Sequence, residues 1–314
     1  MFNYILRRLL QTIPVLLLSS IFVFGLIRFI PGDPALVIAG PDALPEQVAA
    51  MQVRLGLDRP IWVQYLLWLR RVLQGDLGVS ILNQYPVTEL IWLKLGATLQ
   101  LTLGAVLVSL IIAFPLGILS AVRRGSWIDR VSSVFVALTY AIPTFWLGIL
   151  LILLFALQLR WLPSSGYVEF NEKPLLALRL LVLPSLTLGL YAAAVLTRFL
   201  KTSLLEIMGQ DFVRTARAKG LAQRGIVFRH MLKNALIPFI TVFGLQLGVF
   251  LGGSVVTESI FDWPGMGRMM LHAIQTRDYP VLQGGILFVV VGFIIVNLIT
   301  DLTYALFDPR IRYQ

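Results

Sequence analysis

The stretch ATLQLTLGAVLVSLIIAFPLGILSAV, residues 97–122, runs for 26 residues without a single Asp, Glu, Lys, Arg or His. About 20 predominantly apolar residues cross the hydrocarbon core of a bilayer, so this run reads as a membrane-spanning helix. Five further runs meet the same test: Leu9 to Ile30, Val131 to Leu157, Leu180 to Leu200, Ile237 to Thr257 and Gln283 to Phe307. The sequence therefore predicts an all-α integral membrane protein with six transmembrane helices.

Composition agrees and narrows the chemistry. The 314 residues are 58% hydrophobic and 13% charged, with a mean hydropathy of +0.84, far from a soluble domain. With no cysteine there is no disulfide, no thiolate metal ligand and no thiol nucleophile, and the two histidines leave little for imidazole chemistry. No catalytic residue and no metal site emerges. A pI near 10.2 would point to nucleic acid in a soluble protein, but orientation in the bilayer accounts for the basic residues more simply.

Charge orients the spans. One face would collect the N-terminus, the 123–130 turn, the 198–236 segment and the C-terminal tail, with 15 basic and five acidic residues; the other carries 11 of each. The positive-inside rule makes the first face cytoplasmic, with both termini inside. Leu9 to Ile30 could be a signal peptide, but it is long and no small-residue cleavage site follows it.

Outside the spans, PGDPALVIAGPDALPEQ has four prolines (Pro31, Pro34, Pro41, Pro45), which favour an irregular start to the long external segment. A helix is expected over Pro60 to Leu73, with Asp58 as its cap. Its Trp62, Tyr65 and Trp68 fit either a helix lying at the headgroups or one packed on the bundle. The Ser-Ser-Gly of RWLPSSGY reads as a turn, because no histidine lies near it and the setting of a nucleophile elbow is missing. Within the spans, Gln246 and Asn297 read as interhelical hydrogen-bonding groups rather than substrate contacts. Asp301 reads as a partner for basic residues near the cytoplasmic interface, since a lone intramembrane acid makes a poor relay. Gly244, Gly248 and Gly252 recur every fourth residue and form a helix-packing face, against either this chain or a partner subunit.

The segment DFVRTARAKGLAQRG, residues 211–225, lies in a connector of roughly 36 residues, too long for a turn. Its apolar residues recur at helical spacing, so Phe212 to Lys219 reads as a short helix stopped by Gly220 in the left-handed conformation, with a second helix from about Gln223 to Pro238 at the membrane. A basic helix on anionic lipid is one reading. The small Ala216, Ala218 and Gly220 instead suit a protein groove.

RTARAKG followed by HMLKNALIP resembles the cytoplasmic loop signature of permease subunits in binding-protein-dependent ABC importers, E-A-A-x-x-x-G and a spacer before an apolar-proline pair. Arg214 stands in place of the glutamate, the form common in the peptide, glutathione and nickel branch. NYILRRLL, PGDPA, LGLDRP, GDLGVS, LPSLTLG, WPGMGR, RDYPVLQG and DPRIRY extend the resemblance along nearly the whole chain. It implies a type I importer-like permease in the bacterial cytoplasmic (inner) membrane, moving dipeptides or oligopeptides, or else glutathione or nickel complexes. On it, residues 1–95 hold the first span and external segment, 96–307 a five-helix transport core containing the coupling loop (about 201–236), and 308–314 a cytoplasmic tail.

The resemblance also implies partners: a second homologous permease in a heterodimer, two ATPase subunits, an external or periplasmic solute-binding protein and membrane lipid, but no nucleic acid. Arg214, Thr215, Ala216, Arg217, Ala218, Lys219, Gly220 and Leu221 would dock on the ATPase. The chain has no G-x-x-x-x-G-K-[ST], so ATP and Mg would be used by the partner ATPases and no cofactor is expected on this chain. The substrate-binding residues cannot be named from the sequence. A secondary transporter would call for paired intramembrane ionisable groups or an inverted repeat, and an intramembrane protease for a base within the bilayer; the sequence has none of these.

Overall fold

The computed structural model describes residues 2–29, 34–40 and 43–307. PGDPA falls partly outside this range, and residues 41–42, DPRIRY and the 308–314 tail lie wholly outside it. Among the described residues the chain is predominantly helical and has no strand. Five helices are long and apolar enough to cross a membrane. They are α1 (Phe2–Phe29), α5 (Val87–Val122), α8 (Pro174–Met208), α11 (Leu232–Gly253), which continues a helical stretch begun at Gln223, and α14 (Tyr279–Phe307).

The remaining expected span, Val131 to Leu157, is not one straight helix. It consists of α6 (Trp127–Ala141) and α7 (Thr144–Leu151), the latter widening into a π-helical stretch at Ile152–Gln158, and the two limbs meet at 105°. The break falls at Ile142, which is extended (φ −93°, ψ 120°) ahead of Pro143. Proline disfavours the helical conformation of the residue before it, and here that preference prevails. Pro14, Pro115, Pro184 and Pro238 sit inside continuous helices, where surrounding helices can compensate for the missing backbone bond.

Shorter helices fill the connections: α2 (Pro34–Ala39), α3 (Pro45–Leu55), α4 (Ile61–Leu73), α9 (Asp211–Ala218), α10 (Gln223–Gly225), α12 (Val255–Ile260) and α13 (Met266–Gln275). The stretch expected to be irregular thus contains two helices. Pro34 and Pro45 start them, the position where the missing N–H costs nothing. Asp58 does not cap α4; the chain before that helix is held by Gln64, whose amide donates to the Leu57 and Arg59 carbonyls at 3.1 and 2.7 Å.

The chain divides into two compact units. The first comprises Thr98–Trp263 with the start of α1 and α14 from Phe293 onward. Its centre is α8, which packs against α6, α7 and α11. Small residues allow the close approach: Gly189 of α8 faces Val108 and Ala105 of α5, and Gly148 of α7 faces Thr187. The second unit comprises Leu6–Ala97 and Pro264–Gly292. In it α4 packs on α1, with Tyr65 and Trp68 against Phe24 and the Tyr65 hydroxyl 2.8 Å from that of Ser20. Trp62 of the same helix stays exposed. Val87 and Ile91 of α5, Met266 and Met270 of α13, and Leu282 of α14 form a separate apolar cluster in this unit.

A methyl group at Gly189 would lie 2.7 Å from Val108 and 2.8 Å from the Ala105 carbonyl, whereas one at Gly96 would meet nothing within 4 Å. Gly189→Ala should lower the thermal midpoint of the detergent-solubilised protein through an overpacking cost of about 1–3 kcal/mol. Gly96→Ala should leave it unchanged or raise it slightly, since alanine gains up to about 1 kcal/mol over glycine in a helix.

Candidate functional site

The basic connector folds as one short, sharply terminated helix. Asp211 sits in the first turn of α9, where a carboxylate complements the helix dipole, and Thr215 bonds back to the Asp211 carbonyl at 2.9 Å. Gly220 closes the other end at φ +74°, with its N–H on the Arg217 carbonyl at 2.9 Å, and Leu221 N–H reaches the Ala216 carbonyl at 3.3 Å. Only glycine enters this left-handed region without steric cost. Helix α10 follows at Gln223 and widens into a π-helical stretch, Ile226–Met231, before α11.

The two faces of α9 differ sharply. Val213 and Ala216 are buried, while Arg214, Thr215, Arg217, Ala218, Lys219, Gly220 and Leu221 are exposed. Ala216, which the sequence reading placed among the docking residues, is buried in this chain. At helical spacing it shares the inward stripe with Val213 and supports the helix from beneath. Exposed Phe212 and Leu221 add apolar area that the sequence reading had not assigned in the case of Phe212. Arg214 approaches Asp211 at 3.5 Å, but both side chains are more than 70% exposed, so this pair contributes about 0–1 kcal/mol. The outer surface is thus basic and partly apolar.

What lies beneath gives that surface its purchase. Val213 and Ala216 join Leu204 and Ile207 of α8, Ile226, Val227 and Met231 of the following helix, and Phe239 of α11 in one apolar cluster that also takes in Ala113 and Ala121 of α5. Lys201 of α8 bonds Asp129 of α6, and Asp129 also accepts the Gly125 N–H at 3.0 Å. Further along α11, Gly244 and Gly248 face Thr300 and Phe293 of α14, so close that a methyl group at either would overlap them. At these two positions the helix-packing face meets this chain's own α14. The Gln246 side-chain oxygen is buried without a hydrogen-bond partner among the described residues.

Two buried acids escaped the sequence reading. Glu258 of α12 is fully buried and accepts hydrogen bonds from Ser254 and Thr98 at 2.7 and 3.1 Å. In the same unit Tyr167 packs edge-on against Trp263, and burial pushes its phenol above the ordinary value. In the second unit, Asp278 is 4% exposed and accepts from the Ser80 hydroxyl and, at 3.2 Å, from Ile81 N–H. It pins the 79–86 loop, itself closed by a bridge between Val79 and Pro86. Beside it opens a cavity of about 400 Å³, with Lys94, Arg268 and His272 among its walls. Asp278 lies within the quoted RDYPVLQG, but its partners are 196–198 residues away and no local pattern reveals them.

The family description for a binding-protein-dependent transport system inner membrane component matches residues 113–313, and the N-terminal counterpart of such membrane components matches residues 1–102. The chain belongs to this family. It is 41% identical over 314 residues to the glutathione transport system permease protein GsiC of Salmonella choleraesuis (strain SC-B67), covering all of both chains. It is 42% identical over 333 residues to the dipeptide transport system permease protein DppB of Alkalihalophilus pseudofirmus, again covering both in full. In structure it resembles a chain of the inward-facing MetNI methionine ABC transporter with a TM-score of 0.58 at 20% identity, covering 70% of this chain and 96% of that one. That likeness establishes the type I importer permease fold. The protein is accordingly an inner-membrane permease subunit of the ABC importer class.

Removing the Asp278 carboxylate should free the loop it holds. In the permease carrying Asp278→Ala, amide hydrogen exchange at Ile81 and its neighbours should accelerate about 10- to 100-fold, as expected for losing about 1–3 kcal/mol of buried hydrogen bonding. Unchanged exchange would mean that the loop is held by its own bridge alone.

Proposed function

We propose that this permease imports short peptides or a peptide-like solute, and that α9 is the coupling helix through which separate ATPase subunits drive it. Relatives named as dipeptide and glutathione permeases support the solute class. Dipeptides and oligopeptides lead, with glutathione and nickel complexes behind. The absence of a G-x-x-x-x-G-K-[ST] motif supports assigning ATP and Mg to partner subunits and a non-catalytic role to this chain. The full assembly in this reading contains a second, related permease, two ATPases and an external solute-binding protein. Both termini face the cytoplasm, as does the basic connector.

The observation that carries the reading is the two-faced α9. Its exposed side, Arg214, Thr215, Arg217, Ala218, Lys219, Gly220 and Leu221, offers positive charge, small residues and some apolar area to an acidic groove. Its buried side, Val213 and Ala216, shares a cluster with α8 and α11. Close-packed interiors transmit displacement rather than absorb it. When nucleotide draws two ATPases together, the docked helix moves with them and pulls on α5, α8 and α11, which share its cluster.

Gly220 provides the test. Valine at φ +74° is strained by about 1–2 kcal/mol, whereas asparagine visits that region more readily. Gly220→Val should insert normally in the membrane but lose transport and most copurifying ATPase, and Gly220→Asn should keep a large share of both. Normal uptake and ATPase recovery in a well-folded Gly220→Val permease would remove the docking assignment.

A further inference from the structure

The cavity beside Asp278 is a polar space that the coupling reading does not use. Its volume of about 400 Å³ lies within the range of about 300–1,000 Å³ typical of small-molecule sites. Leu82, Leu90, Met269 and Val281 supply apolar wall, and Lys94, Arg268, His272, Asn83 and Asp278 supply the polar groups. This division, an apolar lining with a few convergent polar atoms, is what a small organic ligand needs.

The polar groups are not equivalent. Asp278 is committed to the loop, since it accepts the Ser80 hydroxyl and the Ile81 N–H. The Asn83 carbonyl is committed to Tyr85 N–H at 3.2 Å, which leaves its amide N–H free to donate to a ligand. Lys94 has no hydrogen-bond or ion-pair partner among the described residues, and it is half-buried rather than splayed into solvent. With Arg268 also in its wall, the cavity is lined by two basic side chains against one engaged carboxylate. An ammonium held over an apolar wall with no anion of its own favours an incoming anion. A carboxylate answers this need, and the wall beyond it suits the short side chains that accompany one in a peptide.

We infer that this cavity binds a small carboxylate-bearing solute, with Lys94 as the residue that meets the carboxylate and the Asn83 amide as a second donor. The identification of that solute as a short peptide rests on the import reading above; the preference for a carboxylate rests on the cavity alone. Arg268 raises the local potential but keeps an interaction within the protein, so the argument does not require it as a direct ligand.

The test uses full-length permease in lipid nanodiscs, with trialanine and trialanine amide as probes in equilibrium dialysis. The free acid should bind at least about tenfold more tightly than the amide, the loss expected for a charge-assisted hydrogen bond. Lys94→Gln should weaken the free acid to the level of the amide without changing the thermal midpoint. Asn83→Ala, a loop-surface variant, should weaken it by a smaller factor. Equal affinity for acid and amide, no binding of either, or a Lys94→Gln protein that still prefers the acid would each overturn the inference. So would a Lys94→Gln protein that loses only its recovery of the external binding protein, because the cavity would then be a protein contact. Failure of the import reading would appear separately, as permease that binds the acid but neither recovers ATPase nor supports peptide uptake.

Discussion

The proposed coupling depends first on the burial of Val213 and Ala216. A helix of eight residues is too short to persist alone in water, and α9 exists because its inward stripe is packed. Burying a valine in full is worth about 1.5–3 kcal/mol, enough to hold one face down and keep the other presented. The same cluster includes side chains of α5, α8 and α11, so α9 and helices long enough to cross the membrane share one packed body. If α9 were held only by its flanking loops, a partner could move it without moving anything else.

Much of this was legible in the sequence because the bilayer is so restrictive a solvent. Backbone polar groups must be satisfied within each segment there, so long uncharged runs can only be helices. Residues 97–122, for example, lie within the 36-residue α5. The cap at Gly220 was equally legible, since glycine after a helical pattern has few other uses. Proline was harder to read. It broke the third span at Ile142 yet left four other spans continuous, and nothing in the local sequence distinguishes these cases. Proline also began α2 and α3 where an irregular chain was expected, and α4 starts at Pro60 with no side-chain cap from Asp58.

The polar cluster around Asp278 was out of reach of sequence reasoning. Ser80 and Asp278 are 198 residues apart, and their pairing follows from how α5, α13 and α14 pack in the second unit. Lys94 stands near the start of a span and looks like one of many interfacial cations until the cavity is seen. The glycines of α11 are an intermediate case. Their spacing announces a close approach, but only the structure names Thr300 and Phe293 as what approaches at two of them. Ala216 shows the same limit at finer scale, because small size suits an outer groove and an inner stripe equally well.

The absence of native cysteine allows the central claim to be tested at a single atom. Arg217→Cys places one thiol on the exposed face of α9. In intact cells it should be protected from a membrane-impermeant thiol reagent, become reactive in inside-out vesicles, and form a short-range cross-link to the ATPase subunit when both are present. Labelling from the outside of intact cells, or a cross-link to any subunit other than the ATPase, would contradict the account.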